Sequence, residues 1–420
     1  TTPVDEQSTE TTLKSTETVG TAEELTNALK NAKDDEETTI TLSNNIEGDF
    51  TVAKSKNIVL DLNGYKITNK SGHTITNNGT LTIKDSSNEK AGTIDNVTHE
   101  KAAVWNNGDI TLESGRFIRS EEAGVNSGNN GGNSFYTLLN HGTMIVKDGV
   151  YVENKGKYSS MFENGWQNGN DNTSGTNSSL LIEGGTFSGG LNTIKNDDYG
   201  ELAINGGTFT NMAQAAFLNW NVATVNGGTF EAKEGSNAII LNGYGNATMD
   251  KGELTINGGS FNTEKTSVNF IKTMYTKKDF TSGTIEVNGG NIYGDIQLSD
   301  VTEGATLSIA NGVTINGNIT NGGVANVDVT NATVTGSVSN AGTGSVVISD
   351  GATVEGAVSN TGSGSMAVIE SKVGGYSPEQ TITFVDSTTT NGETIKNTQD
   401  VSAACARIDA KYYDTLKEAL

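Results

Sequence analysis

The chain contains two short stretches whose residue types suit acid–base chemistry. "NDD" at 196–198 supplies Asp197 and Asp198, and "NHG" at 140–142 supplies His141. Two carboxyl groups can cleave a glycosidic bond when one protonates the leaving oxygen and the other activates water or attacks the sugar. The separation between the carboxyl groups selects the route, and it cannot be read from a sequence. Asp197 and Asp198 are therefore the candidate catalytic acids if the chain is an enzyme; the alternative, which we favour, is that this pair belongs to a turn.

Metal-dependent and nucleophilic chemistry have less support in the sequence. No zinc-ligand spacing, phosphate-binding loop or nucleophile elbow occurs, and the histidines at 73, 99 and 141 are far apart. The 50 Asp and Glu residues against 27 Lys and Arg would allow calcium without demanding it. Because no EF-hand or RTX pattern appears, we predict no cofactor.

The net charge of −23 limits the classes of partner. Nucleic acids and anionic membranes bind through Lys and Arg, so an acidic chain disfavours both. No run of about 18 apolar residues occurs, so no membrane insertion is predicted. The single cysteine, Cys405, excludes an internal disulfide framework. Residues 1–20 are rich in Thr, Ser and Glu and begin without Met, and we expect them to be a flexible linker in a secreted protein.

A short phrase repeats along the chain, and the fold that it encodes must position any reactive side chain. The phrase occurs as "IEGGTF" (182–187), "INGGTF" (204–209), "VNGGTF" (225–230) and "INGGSF" (256–261). Each copy follows a short alternating strand, turns at glycine and starts another strand with an aromatic residue. Repeats of about 20–36 residues are typical of stacked coils. The pattern predicts an all-β parallel β-helix over residues 37–400, in preference to a sandwich of hairpins.

Two columns of identical residues support this interpretation. An asparagine recurs once per coil, at Asn77, Asn106, Asn140, Asn164, Asn196, Asn219, Asn242, Asn321, Asn340 and Asn360. Stacked amides hydrogen-bond from coil to coil, so we interpret these asparagines as a structural ladder. The residues that follow the glycine turn form a second column, predicted to stack in the core at about 4.8 Å per step. They are Phe117, Tyr151, Phe187, Phe209, Phe230, Phe261 and Ile292.

A solenoid needs caps over the exposed ends of its core. "TAEELTNALKNA" (21–32) has helical spacing with Thr21 as N-cap, and we predict an N-terminal capping helix within residues 21–36. "TLKEAL" at 415–420 is similar to "ELTNAL" at 24–29. Residues 401–420 are therefore expected to be either a C-terminal cap or the start of a following module.

At these motifs the chain resembles the right-handed parallel β-helix proteins of the pectate-lyase-like superfamily. The phrases "NIVLDLNG" (57–64) and "INGGTF" (204–209) carry the resemblance, which covers about residues 21–400. The closest likeness is to modular cell-surface proteins of Gram-positive bacteria. It implies a right-handed single-stranded solenoid, export to the bacterial surface, further modules in the same chain, and adhesion or ligand binding more often than catalysis.

The sequence departs from the enzymes of that superfamily. Lyases of this kind use Arg or Lys as base beside calcium held by several carboxylates, and we find no Asp/Glu cluster on the adjacent coils beside Arg116 or Arg119. Polygalacturonases carry an Arg-Ile-Lys motif and a His-Gly that follows the Asp pair. Here His141 precedes Asp197, and the coils hold no Arg-Ile-Lys. The question of enzymatic activity stays open, with the evidence leaning against it.

A row of rings near the ladder asparagines is the sharper functional signal. On successive coils the row comprises His141, Trp166, Tyr199, Trp220, Tyr244, Tyr275 and Phe280. Rings in one column on an outer face suit stacking on sugars or a protein partner. The alternative is that the rings pack on one another and cover the edges of the coils.

The sequence thus predicts a non-catalytic, adhesin-like binding module on the bacterial cell surface. Its expected ligand is a host glycan or a host protein, such as mucin or immunoglobulin, and we expect a monomer. The alternative is a carbohydrate-active enzyme, either a polysaccharide lyase or a glycoside hydrolase. A third interpretation is a passive stalk that projects another domain.

Overall fold

The structure is a computed structural model that describes residues 15–98, 100–119, 135–154, 159–166, 172–243, 251–262, 268–274, 283–300 and 304–395, with the backbone of 406–408 and 411–413. Strands make up 53% of it and helix 3%, which confirms the predicted all-β class. Three of the predicted ring positions, Tyr244, Tyr275 and Phe280, lie outside the described residues.

The chain forms a parallel β-helix in which each full coil contributes strands to three sheets. We call the first the Leu-x-Ile sheet, after its alternating strands. Every neighbouring pair in it is parallel. Its strands are Ser15–Val19, Glu37–Leu42, Asn57–Asp61, Thr80–Lys84, Asp109–Arg119, Thr143–Asn154, Ser178–Ile182, Gly200–Ile204, Val222–Val225, Glu253–Ile256, Thr284–Val287, Thr306–Ile309, Asn326–Thr330, Val346–Ser349, Met366–Ile369 and Thr383–Val385.

The second sheet follows the glycine turns, and we call it the Phe sheet. The C-terminal parts of Asp109–Arg119 and Thr143–Asn154 continue into it. Its other strands are Ile46–Glu47, Lys66–Thr68, Thr93–Asn96, Thr186–Gly189, Thr208–Thr210, Thr229–Phe230, Ser260–Phe261, Asn291–Tyr293, Thr314–Asn316, Thr333–Val334, Thr353–Asn360, Lys372–Tyr376 and Thr388–Thr389.

The third sheet contains the ladder asparagines, and we call it the ladder sheet. The ends of Thr353–Asn360 and Lys372–Tyr376 belong to it. Its other strands are Phe50–Val52, Ile75–Asn77, Val104–Asn106, Leu138–Asn140, Phe162–Asn164, Asn192–Asn196, Ala215–Asn219, Ala238–Asn242, Asn269–Thr273, Ile296–Leu298, Ile319–Asn321 and Val338–Asn340. One continuous apolar core fills the space between the three sheets.

The ladder asparagines form a hydrogen-bonded column inside this solenoid. From Asn77 to Asn242, each amide nitrogen donates to the amide oxygen of the next coil at 2.8–2.9 Å. A second run joins Asn321 to Asn340 and Asn340 to Asn360 at 3.2 Å. Between the two runs, Thr273 and Leu298 occupy the ladder position. The amides also donate to turn carbonyls of their own coil and to the first carbonyl of a Leu-x-Ile strand on the next coil, so the ladder fixes both the turn and the register of neighbouring coils.

The structure confirms the predicted column of stacked side chains except at one position. The rings of Phe187, Phe209, Phe230 and Phe261 stack with centroids 4.6–4.9 Å apart. Phe117, however, pairs in register with Val152 rather than with Tyr151. The register shifts between Leu112 and Ser114, opposite Gly149 at the turn of the next coil. Counting residues from the turn therefore misplaces the buried position by one residue. Tyr151 therefore faces outward, where the Arg116 guanidinium lies 4.2 Å from its ring centre.

The paired glycines of the repeated phrase are explained by close approach between coils. A Cβ on Gly227 would lie 2.3 Å from the backbone oxygen of Asn205 on the preceding coil. The second glycine, Gly228, has φ of +101°, which side chains rarely adopt. The corner asparagines stack as well, because Asn226 donates to Asn205 and Asn257 donates to Asn226, both at 2.9 Å. The sequence analysis missed this second, exposed ladder.

The helix Ala22–Asn31 covers the first full coil. Thr21 forms a capping box with Glu24 at its N-terminus, and Leu25, Ala28 and Leu29 are buried on one face. This helix packs against the strand Phe50–Val52 at the start of the ladder sheet.

One prediction about the ends of the chain needs correction. Ser15–Val19, expected to be part of a flexible linker over 1–20, is a strand that pairs with Glu37–Leu42 and extends the Leu-x-Ile sheet by one strand. Near the other end, Ala406–Ile408 and Lys411–Tyr413 form an antiparallel pair. The stretch 415–420 lies outside the described residues, and a C-terminal cap or the start of a following module over 401–420 stays a prediction.

Replacing a ladder asparagine should destabilise the protein more than replacing a corner asparagine. Asn219→Ala removes a fully buried amide that donates to Asn242 Oδ1 and to the Glu253 carbonyl, and we expect a loss of about 2–4 kcal/mol in the free energy of unfolding. The control Asn226→Ala removes an exposed amide and should cost less than about 1 kcal/mol. Urea unfolding measures both; equal losses would show that burial does not give the inner ladder its importance.

Candidate functional site

The outer side of the ladder sheet, which we call the ladder face, holds most of the candidate residues. In each strand the residue before the ladder position points away from the core, and these residues form a row in register from coil to coil. The row comprises Trp105, Leu139, Glu163, Lys195, Leu218, Leu241 and Lys272. An outward row of this kind is ordinarily exposed, but Glu163, Lys195 and the leucines are buried.

A seam of aromatic rings runs across consecutive coils along this face. His73 contacts Trp105, with ring centroids 5.0 Å apart, and Trp105 contacts His141 edge-on at 6.1 Å. His141 stacks on Trp166 at 4.7 Å with an interplanar angle of 12°. Trp166 meets Tyr199 edge-on at 6.2 Å. We call these five residues the ring seam.

The ring seam is held by polar contacts as well as by packing. The Trp105 indole donates to His141 Nδ1 at 3.3 Å, and the Ala102 amide donates to His73 Nδ1 at 2.9 Å. Burial, assisted by the charge of Lys101, lowers the pKa of His73 to about 4, so His73 is neutral at physiological pH. Both histidines therefore accept hydrogen bonds from fixed donors, which sets the orientation of their rings.

Tyr199 sits in an unusual backbone conformation at the end of the seam. Its φ is +62°, which costs a bulky residue about 1–2 kcal/mol. The Tyr199 carbonyl accepts a hydrogen bond from the Ser178 amide at 3.0 Å. Strain of this kind persists where the surroundings enforce it, and it is enriched at functional sites.

The structure brings together only some of the ring residues predicted from the sequence. His141 and Tyr199 are half-buried members of the seam, and Trp166 joins them at 9% exposure. Trp220 is 8% exposed and packs instead with a separate apolar cluster that includes Leu218 and Leu241. Trp220 follows its ladder asparagine directly, whereas Trp166 stands two residues after Asn164, so their rings reach different places. The two tryptophans are therefore mainly packed rather than displayed.

Sequence reasoning missed two members of the seam. Trp105 precedes its ladder asparagine, and His73 lies before the strand Ile75–Asn77. The prediction considered only the residues after each asparagine. The alternation in "VWN" (104–106) places Trp105 outward and was the available signal.

A buried charged cluster lies next to the seam, on the same two coils as Trp166 and Tyr199. The Lys195 ammonium is 2.5 Å from Asp197 Oδ2 and 3.9 Å from Glu163 Oε1. The same ammonium lies 4.3 Å from the centre of the Trp220 ring. Lys195 is therefore held by two carboxyl groups and one aromatic face, at 10% side-chain exposure.

The two carboxyl groups of this cluster titrate abnormally. Burial raises the pKa of Glu163 well above its usual range, and the neighbouring Asp197 raises it further. Burial also raises the pKa of Asp197, although Lys195 opposes this by favouring the charged form. We assign the retained proton to Glu163 and the negative charge to Asp197, because Asp197 is much closer to the ammonium. Tyr136 adjoins Glu163, and its pKa is raised by burial and by both carboxyl groups.

The candidate acids Asp197 and Asp198 are joined in the fold by a third carboxyl group that the sequence did not single out. Asp197 and Asp198 are both fully buried, and the Asp198 amide donates to Asp197 Oδ1 at 2.9 Å. The carboxyl group that interacts with Asp197 belongs to Glu163 on the preceding coil. Because the link crosses coils, it depends on the lengths of the intervening loops, which local sequence spacing does not report.

Neither a metal-ligand cluster nor a membrane-spanning helix occurs in the part of the chain that the structure describes. There, no group of three or more His, Cys, Asp or Glu side chains is arranged to hold a metal ion. None of the described helical structure is long and apolar enough to cross a membrane.

Comparisons with known proteins give no assignment. No protein-family model, curated protein or solved structure matches the chain. The relationship to bacterial surface solenoids therefore rests on the motifs quoted above and stays a prediction.

Removing the cation from the buried cluster should destabilise the fold. Lys195→Met leaves the Asp197 carboxylate buried without its ammonium, and we expect a loss of about 3 kcal/mol at pH 8. The loss should be smaller at pH 5 than at pH 8, because burial raises the pKa of Asp197 and protonation removes its uncompensated charge, and Lys195→Met combined with Asp197→Asn should recover most of it. Urea unfolding at the two pH values checks this. The matched control is Lys33→Met, at an exposed ion pair, which should change little.

Proposed function

We propose that the chain is a non-catalytic binding module of a bacterial cell-surface protein, and that the ladder face is its binding surface. The proposed ligand is a host glycan or a host protein, such as mucin or immunoglobulin. In this proposal the module is extracellular, monomeric and part of a longer surface protein.

The observation that carries the proposal is the continuity of the ring seam over neighbouring coils. Four of its five members, His73, Trp105, His141 and Tyr199, are half-buried, so each offers part of a ring to solvent while its position is fixed by packing. Rigid rings lose little conformational entropy when a ligand stacks on them, and aromatic residues are enriched at binding hot spots. A seam that follows the solenoid axis suits an extended ligand, such as an oligosaccharide.

Removal of two seam rings tests the proposal. We expect the double variant Trp105→Ala with His141→Ala to bind its ligand at least about 30-fold more weakly, because each ring is a rigid stacking surface. The measurement is binding of the wild type and variant to a panel of host glycans, mucin and immunoglobulin. A retained β-rich spectrum shows that the variant is folded.

The matched control is Tyr151→Ala, which removes an outward ring on the Phe sheet. It should leave affinity unchanged. If the control loses as much affinity as the double variant, or if the double variant binds like the wild type, the ladder face is not the binding surface.

The second candidate function is a carbohydrate-active enzyme that uses Glu163 and Asp197. The observation in its favour is that two buried carboxyl groups on adjacent coils interact, and that burial raises the pKa of both. Such pairs can supply an acid and a base. Retaining and inverting glycosidases, however, separate their carboxyl groups by about 5–5.5 Å or 6.5–9.5 Å. A directly interacting pair is closer, so hydrolysis would require the cluster to open around the substrate.

Incubation with acidic and neutral polysaccharides distinguishes this candidate. If the pair is catalytic, wild type releases reducing ends or unsaturated products, and both Glu163→Gln and Asp197→Asn lower the rate at least about 100-fold. The binding proposal expects no product from any of the three proteins. If neither binding nor a hydrolysis product is detected, a passive stalk is favoured.

A further inference from the structure

The break in the asparagine ladder contains a buried carboxyl group. Thr273 and Leu298 replace asparagine on two successive coils, and the Leu298 side chain belongs to the apolar core. Asp300, two residues after Leu298, is only 2% exposed. Its Oδ2 lies 3.4 Å from the Thr273 hydroxyl, and its Oδ1 has no hydrogen-bond partner among the residues that the structure describes.

The neighbours of Asp300 match those of a ladder amide. The Thr273 hydroxyl accepts from the Ser299 amide at 2.8 Å, so its own proton is free to point toward Asp300. On the next coil, Asn321 Oδ1 has no donor from the preceding coil among the described residues and accepts only from the Gly323 amide, at 3.4 Å. Everywhere else in the ladder, an amide oxygen that follows an asparagine rung receives that rung's N–H.

The backbone stacks these groups in the required order. Leu298 pairs in register with Asn321, and the Val324 amide donates to the Asp300 carbonyl at 2.9 Å. Asp300 therefore lies between the coil of Thr273 and the coil of Asn321. A protonated carboxyl group has the shape of an amide, with one oxygen that accepts and one O–H that donates.

We propose that Asp300 completes the ladder as a protonated carboxylic acid, accepting from Thr273 and donating toward Asn321, and that loss of this proton weakens the solenoid at that coil. The break is then a point between the two asparagine runs at which the stability of the solenoid depends on pH.

The electrostatic surroundings favour the neutral form. Burial raises the pKa of Asp300 to about 7, opposed only by hydrogen bonds from its own backbone and from Thr273. The ladder strands on either side, Asn269–Thr273 and Ile319–Asn321, carry one charged residue between them, Lys272. Lys272 belongs to the outward row that pairs with Leu241 and Gln297, so it points away from the ladder column. Asp328 and Glu286, on nearby strands of the Leu-x-Ile sheet, are exposed.

The sign of the pH effect follows from linkage. Between its ordinary pKa and about 7, Asp300 holds a proton in the folded state and has lost it in the unfolded state. The folded state therefore binds more protons over this range, and stability must fall as pH rises through it. Glu163 and Asp197 act with the same sign, so only a comparison between variants isolates Asp300.

The test compares thermal unfolding of wild type and Asp300→Asn between pH 5 and pH 8.5. Asparagine reproduces the donor and acceptor without a titrating proton. We expect the variant to be at least as stable as the wild type at pH 5 and its advantage in unfolding temperature to grow by several degrees between pH 5 and pH 8.5, because only the wild type carries the titrating carboxyl group. Parallel profiles, or a variant that is less stable at every pH, would overturn the proposal.

A direct readout keeps the proposal testable if the variant folds poorly. In ¹³C-aspartate-labelled wild type, the Asp300 carboxyl signal should titrate near neutral pH rather than near the ordinary value of about 3.9. The signal is assigned by its absence from Asp300→Asn, or from Asp300→Glu if the first variant does not fold. A titration at the ordinary value would show that Asp300 is ionised in the fold, and the proposal would then be wrong.

Discussion

A buried primary amide has two N–H donors and one carbonyl oxygen, and each needs a partner that water cannot supply. In this protein the partner is the same residue on the next coil, from Asn77 to Asn242 without a break. That requirement fixes the register between coils more strictly than apolar packing does, because an aliphatic side chain tolerates a shift that a hydrogen bond does not. The three sheets, the glycine corners and the stacked phenylalanines all follow from coils that are superposed in this way.

Once the register is fixed from inside, the outer side of the same sheet is free to vary. The row that passes through Trp105, Glu163 and Lys195 has no constant residue type, although each member occupies the same position in its coil. The outward residue can therefore differ in type from coil to coil while the ladder keeps the register. The ring seam and the buried charged cluster are two outcomes of this freedom, and they share the coils of Trp166 and Tyr199.

The fold was predictable from the sequence because its determinants repeat. The ladder asparagines and Phe187 to Phe261 recur at one phase, so a local pattern was enough to place them. The candidate site was less predictable. The interaction of Glu163 with Asp197 joins different coils across a loop of unrelated sequence, and the register shift near Ser114 moved Tyr151 out of the core. Periodicity reports what every coil shares and is silent about what one coil does alone.

The hydrogen bonds between coils run parallel to the long axis of the solenoid, and this has a mechanical consequence. Tension applied at one end of the chain acts first on the hydrogen bonds that hold the end strand to its neighbour, so we expect the solenoid to yield by peeling from that end rather than by shearing all its strands together. Tension applied through Ser15–Val19 would detach that strand and the helix Ala22–Asn31 before it reached the interior coils. The interior coils, which hold the ring seam, therefore unfold only after the coils at the end have detached.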